Sequence, residues 1–307
     1  MYLVIIMYML FASAFTIGKA VLYYLNPIFF IGLRMTLGGS MLLAYLYFFK
    51  RKKLVIKREH IWLFAQITLF HIFIAYVFEF WALKYLSSFK TAFIYNLSPF
   101  LSALFAYIFL SEKMNLRKWF GLLIGFLGFF LILGNGESPG EIDKKAFLFL
   151  SWPEIALLVA VISSVYGWVV FKKLTMRGGY SPLMINGFGM VTGGFLAFAA
   201  SFLFEGYPTL IVGNSSFTFA IFACLGYALL LILVANVIGY NLYGYLLKKY
   251  SMTFLSFAGF ICPLSAALFG NIFLGEMPSP RFFVAVAIVA FGLFIFYRQE
   301  LRCSNDI

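Results

Sequence analysis

The 307 residues are 64% hydrophobic and only 11% charged, with a mean hydropathy of +0.98. A water-soluble protein of this length has no means of hiding so much apolar surface, so lipid must solvate most of it. The net charge of +12 does not argue for nucleic acid, because the basic residues lie in short loops between apolar stretches and not on a soluble domain.

Stretches long enough to cross the ~30 Å hydrocarbon core fall at 2–24, 28–49, 61–84, 88–111 and 116–134, and again at 152–172, 182–204, 222–247, 251–275 and 281–297. The first eighteen residues carry no charge, no basic leader and no small-residue cleavage site, and read as a retained first helix. Lys19 lies near the end of that span, and Asn26-Pro27 opens the second, which carries Arg34. The third holds Gln66, His71 and Glu79, and the fourth Tyr95 and Asn96. Residues 135–150 form the one polar linker of any length. Tyr166 and Trp168 follow in the sixth span, and Tyr227, Asn236, Tyr240 and Asn241 in the eighth. Cys224 and Cys262 fall within spans and Cys303 in the tail, so no disulfide framework is expected. The 41 Phe and 19 Tyr fit two explanations, an AT-rich genome or an aromatic-lined pocket.

The chain also repeats itself. Pro99 to Glu112 returns as Pro263 to Glu276, and between those anchors Ala103, Leu104, Phe105, Ile108, Phe109 and Leu110 reappear as Ala267, Leu268, Phe269, Ile272, Phe273 and Leu274. Pro27, Gly32, Met35, Gly38 and Gly39 return, at a slightly shorter shift, as Pro182, Gly187, Met190, Gly193 and Gly194. Five spans per copy is an odd number, which forces the two copies into opposite orientations in the bilayer. Such inverted repeats are a transporter's architecture, with the substrate site where the copies meet. Of the 23 Lys and Arg, sixteen fall in loops on one side and in the tail. Five (Lys84, Lys90, Lys144, Lys145 and Arg281) fall in loops on the other. That asymmetry predicts both termini in the cytoplasm.

Ionisable groups within a span cost a few kcal/mol at the helix centre, so each needs a reason. Lys19, Arg34 and Glu79 all lie roughly 8–9 Å deep from the expected outer face, and Tyr95 and Asn96 reach a similar depth. One reading is structural, with Lys19 snorkelling outward and Glu79 neutralising Arg34 or Lys84. The other is functional: Arg34 and Lys19 clamp a substrate carboxylate, and Glu79 balances a cation or meets a substrate amine. Asn236 and Tyr240 would add hydrogen bonds, and Tyr166 and Trp168 would stack on a planar group. His71, whose pKa range lies nearest neutrality, is the candidate for proton coupling, or else a helix-packing residue. The glycines at 121, 125 and 128 and the pairs 38–39 and 193–194 read as close helix contacts.

Lys19 near the end of the first helix, Asn26-Pro27, Gly32-Leu33-Arg34, and the stretches from Ser98-Pro99 to Glu112 and Cys262-Pro263 to Glu276 together resemble the EamA branch of the drug/metabolite transporter superfamily. The similarity covers nearly the whole chain. It departs from the family's aromatic-Gly pair in the first helix, where Phe11-Ala12-Ser13 stands. The resemblance implies an all-α integral membrane fold of ten transmembrane helices in two inverted five-helix repeats. Its units are 1–134 and 151–297, with an outer linker at 135–150 and a cytoplasmic tail at 298–307. It further implies a central cavity open alternately to each side, and substrates among amino acids, other small metabolites and, in some members, S-adenosylmethionine.

No Gly-rich loop ending in Lys-Ser or Lys-Thr is present, so transport runs on an ion gradient or on exchange. An amphiphilic substrate with a carboxylate and a planar ring suits the charges and aromatics together. The expectation is therefore uptake of S-adenosylmethionine in exchange for S-adenosylhomocysteine, with export of amino acids, other metabolites or drugs as the alternative. An intramembrane enzyme would need paired carboxylates, a His-Glu-x-x-His helix or a Gly-x-Ser-x-Gly elbow; the only deeply placed acid is Glu79 and the only histidines are His60 and His71, so an enzyme is not expected. No catalytic residue, cofactor, metal or nucleic acid is expected. The expected partners are the small-molecule substrate and the lipid bilayer, for a monomer or homodimer in a bacterial inner membrane.

Overall fold

The computed structural model describes residues 2–110, 116–131, 145–147, 150–206, 211, 217–250, 255 and 258–303. Helix α1 is Tyr2–Val21, α2 is Pro27–Phe49 and α3 is Arg58–Tyr85. The stretch expected at 88–111 is two helices, α4 (Ser88–Tyr95) and α5 (Ser98–Leu110). The chain turns at Asn96-Leu97, and Pro99 sits in the first turn of α5, where its missing N–H has no intrahelical partner to lose. Then come α6 (Leu116–Phe130), α7 (Trp152–Met176), α8 (Pro182–Phe204), α9 (Thr218–Leu246), α10 (Ile261–Leu274) and α11 (Pro280–Cys303). Three expectations need correction. A short antiparallel ribbon, Lys145–Phe147 with Leu150–Ser151, closes the end of the linker. Helix α6 stops at Phe130, and α11 carries helix past 297 to Cys303, into the expected tail. Glu112 and linker residues 135–144 lie outside the described residues.

Among the described residues, α1, α2, α3, α7, α8 and α9 are each long and apolar enough to cross a membrane. Their outward faces carry side chains such as Phe48, Phe202, Leu203, Phe204 and Phe222, all exposed. In water such a surface would drive association; in hydrocarbon it is the correct solvent contact. The molecule is a multi-pass membrane protein.

Glycines set the closest helix approaches. A Cβ on Gly39 of α2 would stand 2.7 Å from the Val191 amide nitrogen and 2.8 Å from the Gly187 carbonyl oxygen of α8. A Cβ on Gly194 of α8 would stand 2.8 Å from the Thr36 nitrogen and 3.1 Å from the Gly32 oxygen of α2. Gly39 and Gly194, Thr36 and Val191, Gly32 and Gly187 are counterparts under the shift that takes Pro27 to Pro182, so one contact occurs twice with its members exchanged. Helices α6 and α11 do the same under the shift that takes Pro99 to Pro263. Gly292 meets the Gly125 nitrogen and Gly121 oxygen, and Gly128 meets the Val289 nitrogen and Ala285 oxygen. There Gly128 and Gly292, Gly125 and Val289, Gly121 and Ala285 are the counterparts. Contacts that recur with their members exchanged are the pattern of a two-fold interface. Gly39→Ala and Gly194→Ala are each expected to lower the melting temperature of the solubilised protein, by an overpacking cost of about 1–3 kcal/mol. Gly226→Ala is the control, since a Cβ there meets nothing within 4 Å.

Helices α3 and α9 each contain a π-helical segment, Ile67–Ile74 and Ile232–Gly239. The Pro99-to-Pro263 shift carries one segment onto the other to within a residue, and His71 and Asn236 take equivalent points in them. Widened turns of this kind recur at functional sites, because they re-aim side chains within an otherwise regular rod.

Candidate functional site

Between these helices lies a cavity that, counted with the open space at its mouth, has about 920 Å³ of empty volume. Aromatic side chains make most of its wall: Tyr8, Phe11 and Phe15 of α1, Tyr76 and Phe80 of α3, Trp168 of α7, and Tyr240 and Tyr243 of α9. Two charges, Arg34 and Glu79, reach it.

Arg34 is 1% exposed. Its Nε donates to Asn236 Oδ1 at 2.7 Å, and Nη2 donates to the Tyr240 hydroxyl at 3.1 Å. The guanidinium carbon lies 5.1 Å from the Phe80 ring centre and 5.6 Å from that of Tyr76. Neutral acceptors and ring faces thus offset the desolvation of the cation. Glu79, also buried, accepts from the Tyr95 hydroxyl at 2.7 Å. Among the described residues no ion pair joins Arg34 to Glu79, so the structural pairing weighed in the sequence is not formed. Each charge is held in place by neutral groups.

The repeat explains the lining. Under the shift that takes Pro99 to Pro263, Tyr76 and Glu79 of α3 correspond to Tyr240 and Tyr243 of α9. The Tyr76 and Tyr240 rings meet with centres 5.5 Å apart. Tyr95 corresponds to Gly259, and Ser98 to Cys262. All eight positions line the cavity. The first copy supplies the carboxylate and two hydroxyl groups where the second supplies a phenol, a glycine and a thiol.

The other expected site residues divide. Asn96 and Trp168 line the cavity, and Asn236 acts behind it as the support of Arg34. Tyr166 turns away, donating to Gln66 Oε1 at 2.8 Å and packing edge-on to Phe70. His71 is buried behind Trp168, with ring centres 4.4 Å apart, and lies against Gly167. It is not on the cavity wall. Tyr227 is 40% exposed, and Asn241 accepts from Asn186 at 3.1 Å. The residues overlooked in the sequence are chiefly Tyr8, Tyr76, Ser98, Ser102, Ser164 and Tyr243. Tyr76 and Tyr243 were findable, one lying three residues before Glu79 and the other at its repeat position.

Lys19 is the main displacement. It forms an ion pair with Glu276 at 3.4 Å and donates to the Leu86 carbonyl, at the end of the bundle where α1 turns into α2. It is absent from the cavity wall, so the expected row of Lys19, Arg34 and Glu79 is not one row. A lysine near a helix end reaches a rim partner on its flexible stem more cheaply than it enters the core. Glu276 also accepts from the Ser88 amide at 2.9 Å, so one carboxylate fastens α1 to the first turn of α4. Lys90, expected in a loop, is buried against Glu154 at 3.1 Å. Glu276→Gln keeps the amide contact but drops the ion pair. Its expected effect is a several-fold rise in labelling of Cys262 on the cavity wall by an impermeant thiol reagent applied to membrane vesicles from the side that bears Lys19, in a background without Cys224 and Cys303.

The EamA-like transporter family matches residues 1–134 and 151–298. A protein of Chlamydia muridarum named as an S-adenosylmethionine/S-adenosylhomocysteine transporter is 33% identical over 294 residues, covering 95% of this chain and 89% of that protein. A protein of the same name from Chlamydia trachomatis serovar L2 is 33% identical over 295 residues, covering 95% and 86%. One solved crystal structure superposes with a TM-score of 0.62 at 17% identity, over 98% of this chain and 96% of that one, and speaks to the fold.

Proposed function

We propose, from the premise that this chain belongs to the EamA-like transporter family, that it takes up S-adenosylmethionine in exchange for S-adenosylhomocysteine. The observation that carries the proposal is Arg34, buried on Asn236 and Tyr240 across an aromatic cavity from Glu79. A zwitterionic amino acid needs such a pair of fixed, opposite charges, and a guanidinium fork matches its carboxylate. Glu79 and the surrounding ring faces suit the ammonium and sulfonium of S-adenosylmethionine. S-adenosylhomocysteine keeps the zwitterion and lacks only the S-methyl group and, with it, the sulfonium charge, so one cavity serves both directions of an exchange. The names of the two chlamydial relatives point to the same pair of solutes.

In this proposal the two copies of the repeat, 1–134 and 151–297, are inverted relative to each other and together span the membrane ten times. The exchanged glycine contacts and paired π segments support that arrangement. The termini lie in the cytoplasm, and the end bearing Lys19 and Glu276 faces outward. Alternating access then opens the Lys19–Glu276 fastening on the outside while the two glycine-lined interfaces act as pivots. Coupling by exchange leaves His71 a packing role in α3. Radiolabelled S-adenosylmethionine uptake into cells expressing the chain is the test. Saturable uptake, accelerated by S-adenosylhomocysteine loaded inside, is the expected result; a correctly inserted protein that carries neither solute overturns the proposal.

A further inference from the structure

The two ends of the cavity differ chemically. Glu79 lies six residues from the end of α3 at Tyr85, about 9 Å deep at 1.5 Å per residue. Ser164 lies twelve residues into α7 from Trp152, about 18 Å deep from the same end of the bundle. Ser102 lies four residues into α5, a similar ~20 Å down once α4 is counted. Both serines are cavity-lining and 7% exposed. The Ser102 hydroxyl has no hydrogen-bond partner in the protein. A buried hydroxyl left unmatched is costly unless something transient satisfies it. Trp168 stands one helical turn beyond Ser164 on α7, backed by Tyr243 with ring centres 4.2 Å apart.

We propose that this deeper end is a nucleoside subsite, in which the Ser102 and Ser164 hydroxyls bond the ribose and Trp168 flanks the base. The proposal rests on the exchange reading above and extends it by fixing the orientation of the ligand: amino-acid head at Arg34 and Glu79, nucleoside at the serines and Trp168. The spacing suits it. Seven bonds separate the carboxylate carbon of an adenosyl amino acid from C3′ of its ribose and eight from C2′, about 8–9 Å at the reach of an extended chain, against the ~10 Å between the backbone levels of Glu79 and the two serines; at the side chains Ser164 comes nearer, reaching Glu79 through the Tyr95 hydroxyl. The division of labour also follows from the repeat. Glu79 has Tyr243 as its counterpart, so the second copy contributes no charge at the deeper end, and a neutral, planar, hydroxyl-bearing group is what that end accepts.

The test uses the full chain, purified in detergent and in proteoliposomes, with the double variant Ser102→Ala/Ser164→Ala, which removes two hydroxyls and no volume that packing depends on. The probes are 5′-methylthioadenosine, which is the nucleoside part without the amino acid, and methionine, which is the amino acid without the nucleoside. Wild-type protein is expected to be thermally stabilised by methylthioadenosine and the double variant is not. The variant's KM for S-adenosylmethionine is expected to rise about tenfold, with its inhibition by methionine changed less than twofold. A variant with wild-type KM and undiminished stabilisation by methylthioadenosine overturns the subsite and leaves the exchange reading standing. A wild type that binds methylthioadenosine through these serines but carries no S-adenosylmethionine overturns the exchange reading and leaves the subsite. A wild type indifferent to methylthioadenosine overturns the subsite directly.

Discussion

Arg34→Ala is expected to reduce uptake efficiency by roughly 30- to several-thousand-fold, which is the ~2–5 kcal/mol lost when one partner of a buried, hydrogen-bonded charge contact is truncated. The loss should appear for S-adenosylmethionine and S-adenosylhomocysteine alike, since both carry the carboxylate. Arg34→Lys keeps the charge but not the fork. A lysine has one nitrogen with which to serve Asn236, Tyr240 and the ligand, so it should recover only part of the activity. Glu79→Gln separates the two solutes. Only S-adenosylmethionine bears the sulfonium, so its KM should rise about tenfold while that of S-adenosylhomocysteine moves less, because the second cation loses the larger share of its Coulomb partner. Equal losses for both solutes would assign Glu79 to the shared ammonium alone. Abundance of each variant in the membrane is measured in parallel, because Arg34→Ala leaves Asn236 and Tyr240 short of a donor.

The parts legible in the sequence were those written in hydrophobic length and in the doubled pattern. Apolar runs gave the rods, and glycines read as close helix contacts make them, Gly39 with α8 and Gly128 with α11, although which helices they join was not legible. Arg34 was identifiable because a cation so deep in lipid demands a reason. What stayed hidden depended on side-chain direction. Lys19 and Arg34 lie at similar depth, but one stem swings to Glu276 at the rim while the other folds onto Asn236. Depth along a helix does not encode azimuth, and Glu276 belongs to the other copy of the repeat, far along the chain from Lys19. Tyr166 and Trp168 are two residues apart, about 200° around α7, so only Trp168 reaches the cavity. The serines carried no signal at all, being small residues whose value comes only from the cavity they border.

Lys90 and Glu154 carry the second large expectation. Their side chains are 0% and 1% exposed and 3.1 Å apart, joining the first turn of α4 to the first turn of α7. An ammonium near a helix N-terminus meets the positive end of the helix dipole, and the Glu154 carboxylate offsets that repulsion. Glu154 is held in place by its own helix start, accepting from the Ser151 amide at 2.7 Å and the Ser151 hydroxyl at 2.8 Å. Glu154→Leu takes the Glu154 carboxylate away from a buried ammonium, and Lys90→Met takes the ammonium away from a buried carboxylate. Each is expected to cost about 3–5 kcal/mol, read as a large fall in melting temperature and in folded yield. The double variant Lys90→Met/Glu154→Leu should regain most of that loss, since it removes both ions of the pair together and fills the space with apolar atoms. Transport separates this joint from the neighbouring Lys19–Glu276 fastening. The Lys19–Glu276 pair sits at the rim, 13% and 12% exposed at its side chains, where water can solvate both ions when they part. Lys90 and Glu154 have no such solvent, so their separation during each cycle would cost too much to be part of the moving gate. The double variant should therefore exchange solutes at near wild-type rate per folded molecule, and a rate that fell with the stability restored would place the pair in the gate instead.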